Sequence, residues 1–435
     1  MRAAVVAEHF VNHHPFCGAA FMSTKGQNIE DVKVINRAST LRLLLANGPM
    51  SRSEIAAELS VTPATVTSIC NEFLKKNLLI QHEESESQGR VGRKKFPVEM
   101  NCDYKCAVAI HITPVETSIS VCNLAGKLVD SGAMTTDGSL PPETFLAQVA
   151  ERCTKMLWNN RLGGDRILGV GVTILGPVNH DDGVSLKAFS IWDRPVPIAR
   201  ILEDELHIPV CVESNVCAMI GASLLYGELT DPNALAVQWG PGVGSALVIG
   251  GRVFKGRNYQ SAEVGHNFVD GIGEKCRCGK IGCLETRLSV DAIVASLKKM
   301  LVLPDPNPLR ALVQDVGMPS PATLNSYLDV SFPPWDEYLN DISFRLAVVV
   351  NNAIQLLAPD RIILFGELFS NEFLLERFKR SVFAINDTIV EEMFLRSRLQ
   401  PQRTYIGGVA HIVRKYLVNT GGIDEGAKVD APFRT

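Results

Sequence analysis

One imidazole and three thiols stand near the middle of the chain, in Gly265-His266 and in Cys276-Arg277-Cys278-Gly279-Lys280-Ile281-Gly282-Cys283-Leu284-Glu285. His266, Cys276, Cys278 and Cys283 form the nitrogen and sulfur set that a closed, four-coordinate Zn²⁺ site prefers. The loop glycines allow the sharp turns that three thiolates need in order to face one ion. Inert or disulfide-bonded cysteines are the alternative, but Cys-x-Cys followed by a third Cys in a glycine-rich loop fills a core badly and holds metal well. One structural Zn²⁺ is the expected cofactor.

The chain around this loop has 435 residues, enough for two to four domains. Of its eleven cysteines, those outside the loop are scattered singly among apolar residues, as in Val210-Cys211-Val212, the usage of a reducing cytosol. A net charge of -4 excludes a generally basic nucleic-acid binder, so any such contact must come from a local patch. No apolar run approaches the roughly 18 residues needed to span a bilayer, and no membrane insertion is expected. Met1 to Phe21, broken by His9, Asn12, His13 and His14, makes a poor signal peptide. A cytoplasmic protein is expected, with Met22 as an alternative start and residues 1–30 as a disordered extension.

Residues 31–99 have their own pattern. Val34, Ala38, Leu41 and Leu45 trace one helical face that stops at Asn47-Gly48-Pro49. Ser51-Arg52-Ser53-Glu54 is a capping box that opens a short helix. Thr62-Pro63 opens the next as N-cap and first helical residue, and Val66, Ile69, Cys70, Phe73 and Leu74 give it a core face. Leu78-Leu79-Ile80 and Phe96-Pro97-Val98 flank a polar stretch that reads as a β-hairpin wing, basic at Arg90, Arg93, Lys94 and Lys95. The second helix of such a pair enters the major groove of DNA and presents its first residues, here Pro63, Ala64, Thr65, Thr67 and Ser68. With Arg52, Arg90, Arg93 and Lys94 they are the expected DNA contacts. A helical hairpin for protein contacts is the competing reading, since the segment holds ten basic and eight acidic residues.

From Asp31 to about Val418 the chain resembles transcriptional regulators of the ROK (repressor, open reading frame, kinase) family. The resemblance rests on Ser51-Arg52-Ser53-Glu54-Ile55-Ala56, Ala64-Thr65-Val66-Thr67, Gly89-Arg90, Leu175-Gly176-Pro177-Val178, Gly240 to Gly244, Ala262-Glu263-Val264-Gly265-His266 and the run from Cys276 to Glu285. It implies an α/β protein: an N-terminal winged helix-turn-helix (31–99), then a two-lobed, actin-like, sugar-kinase-like body with a structural zinc loop. The first lobe would span 100–228, with 404–435 returning to it, and the second 229–403 with the zinc loop and dimer contacts. The sequence is compatible. Lys105 to Asn123 and Ile167 to Leu175 read as β-rich, Pro142 to Trp158 as an amphipathic helix, Leu235 to Ile249 as strand, turn, strand, and Arg345 to Leu357 as a buried helix. Asp360 to Gly366 reads as a core strand ending in a turn.

The kinase parts of that family are damaged here. Its kinases carry a Glu-Asn-Asp run whose Asp is the general base, and this chain has Glu213-Ser214-Asn215, where a carboxamide cannot take the proton. The first phosphate loop, Asp-Ile-Gly-Gly-Thr in the kinases, is His111-Ile112-Thr113-Pro114-Val115 followed by Glu116. The second loop has Pro241 where the kinases have Thr, and a later Gly-Gly is Gly366-Glu367. Pro114 offers no N–H and Glu116 repels phosphate. No catalytic residue is expected, and a sugar kinase is the remote alternative. The sugar-contacting residues of the family match Ser214, Asn215, Glu263, His266 and Glu285, with bracing of the zinc loop as the other role for the two glutamates. The expected protein is a repressor of sugar-uptake or catabolic genes, a homodimer or tetramer on a double-stranded operator, released by a sugar or sugar phosphate in the cleft. A transport-system protein that docks on the body is the alternative regulator.

Overall fold

The computed structural model of the chain describes residues 28–83, 96–269, 273–399 and 403–422. Helix α1 (Ile29–Asn47) begins two residues before the boundary expected at 31. Asn28 and Asp31 make a reciprocal capping box, each side chain accepting from the other's backbone N–H. Helix α2 (Arg52–Glu58) follows its own box at Ser51 and Glu54, and α3 (Pro63–Lys75) starts at N-cap Thr62. Val66, Ile69, Cys70 and Phe73 are its buried face, while Leu74 is half-buried. Strands β1 (Leu79–Gln81) and β2 (Val98–Met100) then pair antiparallel, with Ile80 opposite Glu99. The basic tip expected between them, with Arg90, Arg93, Lys94 and Lys95, lies outside the described residues.

Two five-stranded sheets follow. The first contains β3 (Cys106–Ile112), β4 (Glu116–Asn123) and β5 (Leu128–Thr135) as an antiparallel meander. After helix α4 (Pro142–Asn159) comes β6 (Ile167–Ile174), then the hairpin β7 (Val178–Asn179) and β8 (Val184–Ser185), helix α5 (Ile198–Leu206), β9 (Val210–Ser214) and helix α6 (Asn215–Leu225). The sheet order is β5-β4-β3-β6-β9, with β6 and β9 parallel to β3. β6 is buried at every residue, as a parallel strand covered on both faces must be, whereas the edge strand β5 is exposed at alternate positions.

The second sheet repeats that plan with β10 (Ala234–Trp239), β11 (Val243–Ile249), β12 (Arg252–Phe254), β13 (Arg361–Phe365) and β14 (Phe394–Arg396), in the order β12-β11-β10-β13-β14. Helices α7 (Glu285–Leu288), α8 (Val290–Met300), α9 (Pro308–Val316), α10 (Pro333–Leu357) and α11 (Glu372–Ile385) belong to this half. The expected helix at Arg345 to Leu357 is the second half of α10, which is longer because Pro333 and Pro334 fill its first turn, where a missing N–H costs nothing. It is also amphipathic rather than buried: Trp335, Leu339, Ile342, Leu346 and Val350 face the core, while Phe344 and Leu356 are exposed.

The last helix, α12 (Tyr405–Val413), crosses back to the first sheet, packs on β3, β6, β9 and α6, and continues as a π-helical turn, Arg414–Val418. Its approach is possible only because glycines face each other: a Cβ on Gly171 of β6 would sit 2.1 Å from the Gly408 carbonyl oxygen. Gly171→Ala must therefore push α12 off the sheet. A loss of about 1–3 kcal/mol is expected from overpacking, read from the midpoint of urea denaturation, and an unchanged midpoint would show that α12 does not lie this close.

Candidate functional site

The segment after β12 folds back on itself. Isolated bridges pair Phe268 with Cys283 and Lys275 with Ile281. The Cys276 N–H donates to the Lys280 carbonyl and the Gly279 N–H to the Cys276 carbonyl, each at 2.8 Å, closing a tight knuckle. Gly279 turns it at φ 98°, a conformation that residues with a Cβ rarely adopt. As a result the donor atoms of His266, Cys276, Cys278 and Cys283 all lie within 4.8 Å of one another. Cys276 Sγ is 3.6 Å from His266 Nδ1, and Cys278 Sγ is 3.6 Å from Cys283 Sγ. A tetrahedron with Zn–S near 2.3 Å and Zn–N near 2.0 Å has edges of about 3.5–3.8 Å, so the four residues fit a metal ion of that kind.

With Nδ1 turned to the thiols, His266 presents Nε2 to Glu263, 3.9 Å from its Oε2. Glu263 is half-buried, and burial together with the Glu285 charge pushes its pKa up to about 7. Glu285 is differently placed. Arg277 contacts both of its oxygens at 2.9 Å, and the Val243 N–H donates to Oε2 at 3.1 Å. Of the two carboxylates expected at an effector, Glu263 keeps open positions and Glu285 is largely committed to bracing the loop. Phe189, from the other half of the body, lies under the Arg277 guanidinium, 5.3 Å from ring centroid to Cζ, and meets the His266 ring edge-on.

Ser214 and Asn215 stand at the end of β9, where Asn215 Nδ2 donates to Gln238 Oε1 at 3.4 Å. Beneath them Glu213, 2 % exposed, accepts the Ser214 N–H and forms an ion pair with Lys255, which follows β12. Burial pushes the Glu213 pKa up, but the charge and hydrogen bond of Lys255, together with the nearby His411 and His180, outweigh it and hold the carboxyl at about 2. Neither Lys255 nor Phe189 stood out in the sequence, because each matters only through a partner far away in the chain.

The segments expected to correspond to kinase phosphate loops are closed. Thr113 donates its N–H to the Glu116 carbonyl at 3.0 Å, so β3 and β4 join in a tight turn. His111 is held by Thr173 at 2.7 Å, with its pKa lowered to about 4 by burial. The Glu367 side chain fills the space beside Gly240, its Cγ 2.6 Å from where a Cβ would be.

On α3, Pro63, Ala64, Thr67 and Ser68 are exposed and Thr65 is half-buried. The Thr65 hydroxyl pairs with Thr62 and the Thr67 hydroxyl donates to the Pro63 carbonyl, both within the helix start. Arg52 donates to Gln81 at 2.9 Å and reaches Asn71 at 3.5 Å. Asn71, exposed one turn beyond Thr67, extends the polar face. Its i+4 spacing was the sequence signal that could have found it.

Lys255→Met should strand Glu213 and cost about 3–5 kcal/mol of stability, while Glu213→Gln/Lys255→Met should recover most of that loss. The folded carboxyl titrates below its ordinary 4.5. Its contribution is therefore present above that pH and lost as pH falls toward 2. Urea denaturation at pH 7 and pH 4 measures both, and a single variant as stable as wild type would remove the ion pair from the account.

The ROK family profile matches residues 108–414. A xylose repressor from Caldicellulosiruptor bescii is 23% identical over 395 residues, covering 89% of this chain and 97% of that protein. The solved structure of a ROK family transcriptional regulator, a homologue of the Escherichia coli MLC protein, superposes with a TM-score of 0.70 at 20% identity, over 90% of this chain and 98% of that one. A ROK family glucokinase from Streptomyces griseus, solved with glucose and AMPPNP, superposes at 0.61 with 18% identity, over 70% of this chain and 98% of its own. These two structures share the fold, and no helix among the described residues is long and apolar enough to cross a membrane. With the family profile spanning both sheets and the metal loop, the chain belongs to the ROK family.

Proposed function

We propose that this chain is a DNA-binding transcriptional repressor of sugar-uptake or catabolic genes, with residues 31–99 as a winged helix-turn-helix and the ROK body as its non-catalytic sensor. The observation that carries the reading is α3: a helix capped by Thr62, buried on one side, and lined on the other by small and polar residues, Ala64, Thr67, Ser68 and Asn71, beside Arg52. That profile suits close approach to base edges, and an Asn such as Asn71 can read adenine with two hydrogen bonds. The similarity to a xylose repressor over almost all of that protein supports it. So does the coverage, since the regulator structure matches a larger share of this chain than the glucokinase does. Against a kinase stand Asn215 in the base position, the closed Thr113–Glu116 turn and the Glu367 carboxylate beside Gly240.

His266, Cys276, Cys278 and Cys283 hold one structural Zn²⁺ in this reading, and the effector, a sugar or sugar phosphate, meets Glu263, the outer nitrogen of His266, Ser214 and Asn215. The commitment of Glu285 to Arg277 favours the second reading, a transport-system protein docking on the body without a small molecule. A single winged helix covers one half-site, so a homodimer or tetramer on a roughly palindromic operator is required, in the cytoplasm where the DNA is.

Metal analysis should find one zinc per chain, and Cys278→Ser, at the most exposed of the three thiols, should lower both zinc content and melting temperature. Protein purified without chelator and free of zinc would overturn the assignment. In gel shifts on its operator, Asn71→Ala should cost about 1–3 kcal/mol and relax base preference. Arg90→Ala/Arg93→Ala should weaken binding and flatten its salt dependence. Glu263→Gln should abolish release by the effector sugar without changing DNA affinity. Unaltered operator binding by both Asn71→Ala and Arg90→Ala/Arg93→Ala would sink the repressor reading, and no response to any sugar or sugar phosphate would leave the docking protein as regulator.

A further inference from the structure

Three polar side chains from three different elements meet beside the outward face of α3. Arg52 is the first residue of α2, Asn71 lies on α3, and Gln81 ends β1. Arg52 Nη2 donates to Gln81 Oε1 at 2.9 Å and reaches Asn71 Oδ1 at 3.5 Å. The Arg52 Nε is buried and has no partner among the described residues, so the side chain is laid on the protein rather than held out in solvent.

A guanidinium has donors and no acceptor. Both amides must therefore turn their oxygens toward Arg52 and their NH₂ groups away from it. Asn71 and Gln81 are exposed. Along α3, Ala64, Ser68 and Asn71 recur at spacings of four and three, the repeat of one helical face, opposite the buried Val66, Ile69 and Phe73. Gln81 joins this face from the strand. Leu79, which shares its side of β1, is buried in the core of the helices, and Gln81 emerges at the rim two residues later. The surface beside α3 thus shows a pair of amide donors fixed from behind.

In the major groove guanine is the one base that offers two acceptors, N7 and O6, whereas adenine and cytosine each present an amino group that a fixed donor would oppose. Adenine would also need the Asn71 oxygen as acceptor for its amino group, and that oxygen faces Arg52. We propose that Gln81 is a base contact and that Arg52 is its positioning residue, turning the amides of Gln81 and Asn71 outward so that they read a guanine. Arg52 then contributes to base preference without meeting the DNA itself, in place of the direct contact expected of it. The inference rests on the repressor reading, with α3 in the major groove, and narrows the base that α3 selects.

The test selects operator sequences from random double-stranded DNA with the full chain, then measures Kd for base variants of the selected site by fluorescence anisotropy over a salt series. Wild type should show one pair in each half-site at which guanine is preferred over adenine by at least about fivefold. Gln81→Glu keeps an oxygen for Arg52 but replaces the outward NH₂ by an acceptor. The guanine preference at that pair should vanish or pass to cytosine, while the other positions keep theirs. Arg52→Ala should lower the guanine preference at the same pair, and adding it to Asn71→Ala/Gln81→Ala should change no preference further. The slope of log Kd against log salt should stay the same in Arg52→Ala, because loss of a phosphate contact would flatten it by about 0.9. A selected operator with no guanine-preferring pair, or a Gln81→Glu chain with the wild-type preference at every pair, overturns the inference and leaves Gln81 as a brace of the wing. So does an Arg52→Ala chain with a flatter salt slope and unchanged preferences, since Arg52 then meets a phosphate. In those cases the chain still selects an operator and the repressor reading stands. A wild type that selects no sequence removes that reading, and this inference with it.

Discussion

Backbone meets backbone where α12 crosses the first sheet, and much of the molecule is arranged around that contact. Gly408 rests on the backbone of Gly171 in β6, and Gly407 on the methyl and backbone of Ala218 in α6. The close approach sets the path of everything after it. His411 and Arg414 are delivered to the junction of the two halves, and Leu417, Val418 and Gly422 reach Leu41, Phe73 and Leu78. One apolar core therefore runs from the N-terminal helices through α12 into the first sheet. Sliding the helices over the body would expose part of that core, at about 25 cal/mol per Å² of apolar surface. Movement of α12 is thus felt at the buried base of α3.

The two halves of the body are also joined at unequal strength along their cleft. On one side Lys255 and Glu213 form a buried ion pair, and Tyr259 donates to Asp181 at 3.1 Å. Separating that pair strands a carboxylate away from water, which costs far more than the pair gains over apolar neighbours. On the other side the contact is Phe189 against Arg277 and His266, a cation–aromatic stack worth on the order of 0.5–1 kcal/mol where solvent is near. The contact between the two halves is therefore weaker beside the candidate metal loop than beside Lys255 and Glu213.

The remains of phosphate chemistry follow from the same economy of charge. A phosphoryl-transfer site needs backbone N–H groups facing the nucleotide and a carboxylate only at the attacking hydroxyl. Here the β3–β4 turn spends the Thr113 N–H on Glu116, and Glu367 places a carboxylate against Gly240.

How much of this was legible in the residues depended on distance along the chain. The three N-terminal helices, with caps at Ser51 and Thr62, were set by hydrogen bonds spanning three residues, and their apolar faces by helical period. The candidate metal ligands His266, Cys276, Cys278 and Cys283 fall within one short stretch, where residue type and glycine spacing carry the message. Local rules also misled where a longer context ruled: the helix read from Arg345 begins at Pro333, because prolines that end most helices are harmless in a first turn. What the sequence alone could not determine were meetings between residues far apart: Glu213 with Lys255, Phe189 with Arg277, and Glu285 with the Val243 N–H. Those are fixed by how two repeated sheets and a returning helix pack. Tertiary packing decides them because Coulomb and dispersion forces act through space, and only the folded chain sets that separation.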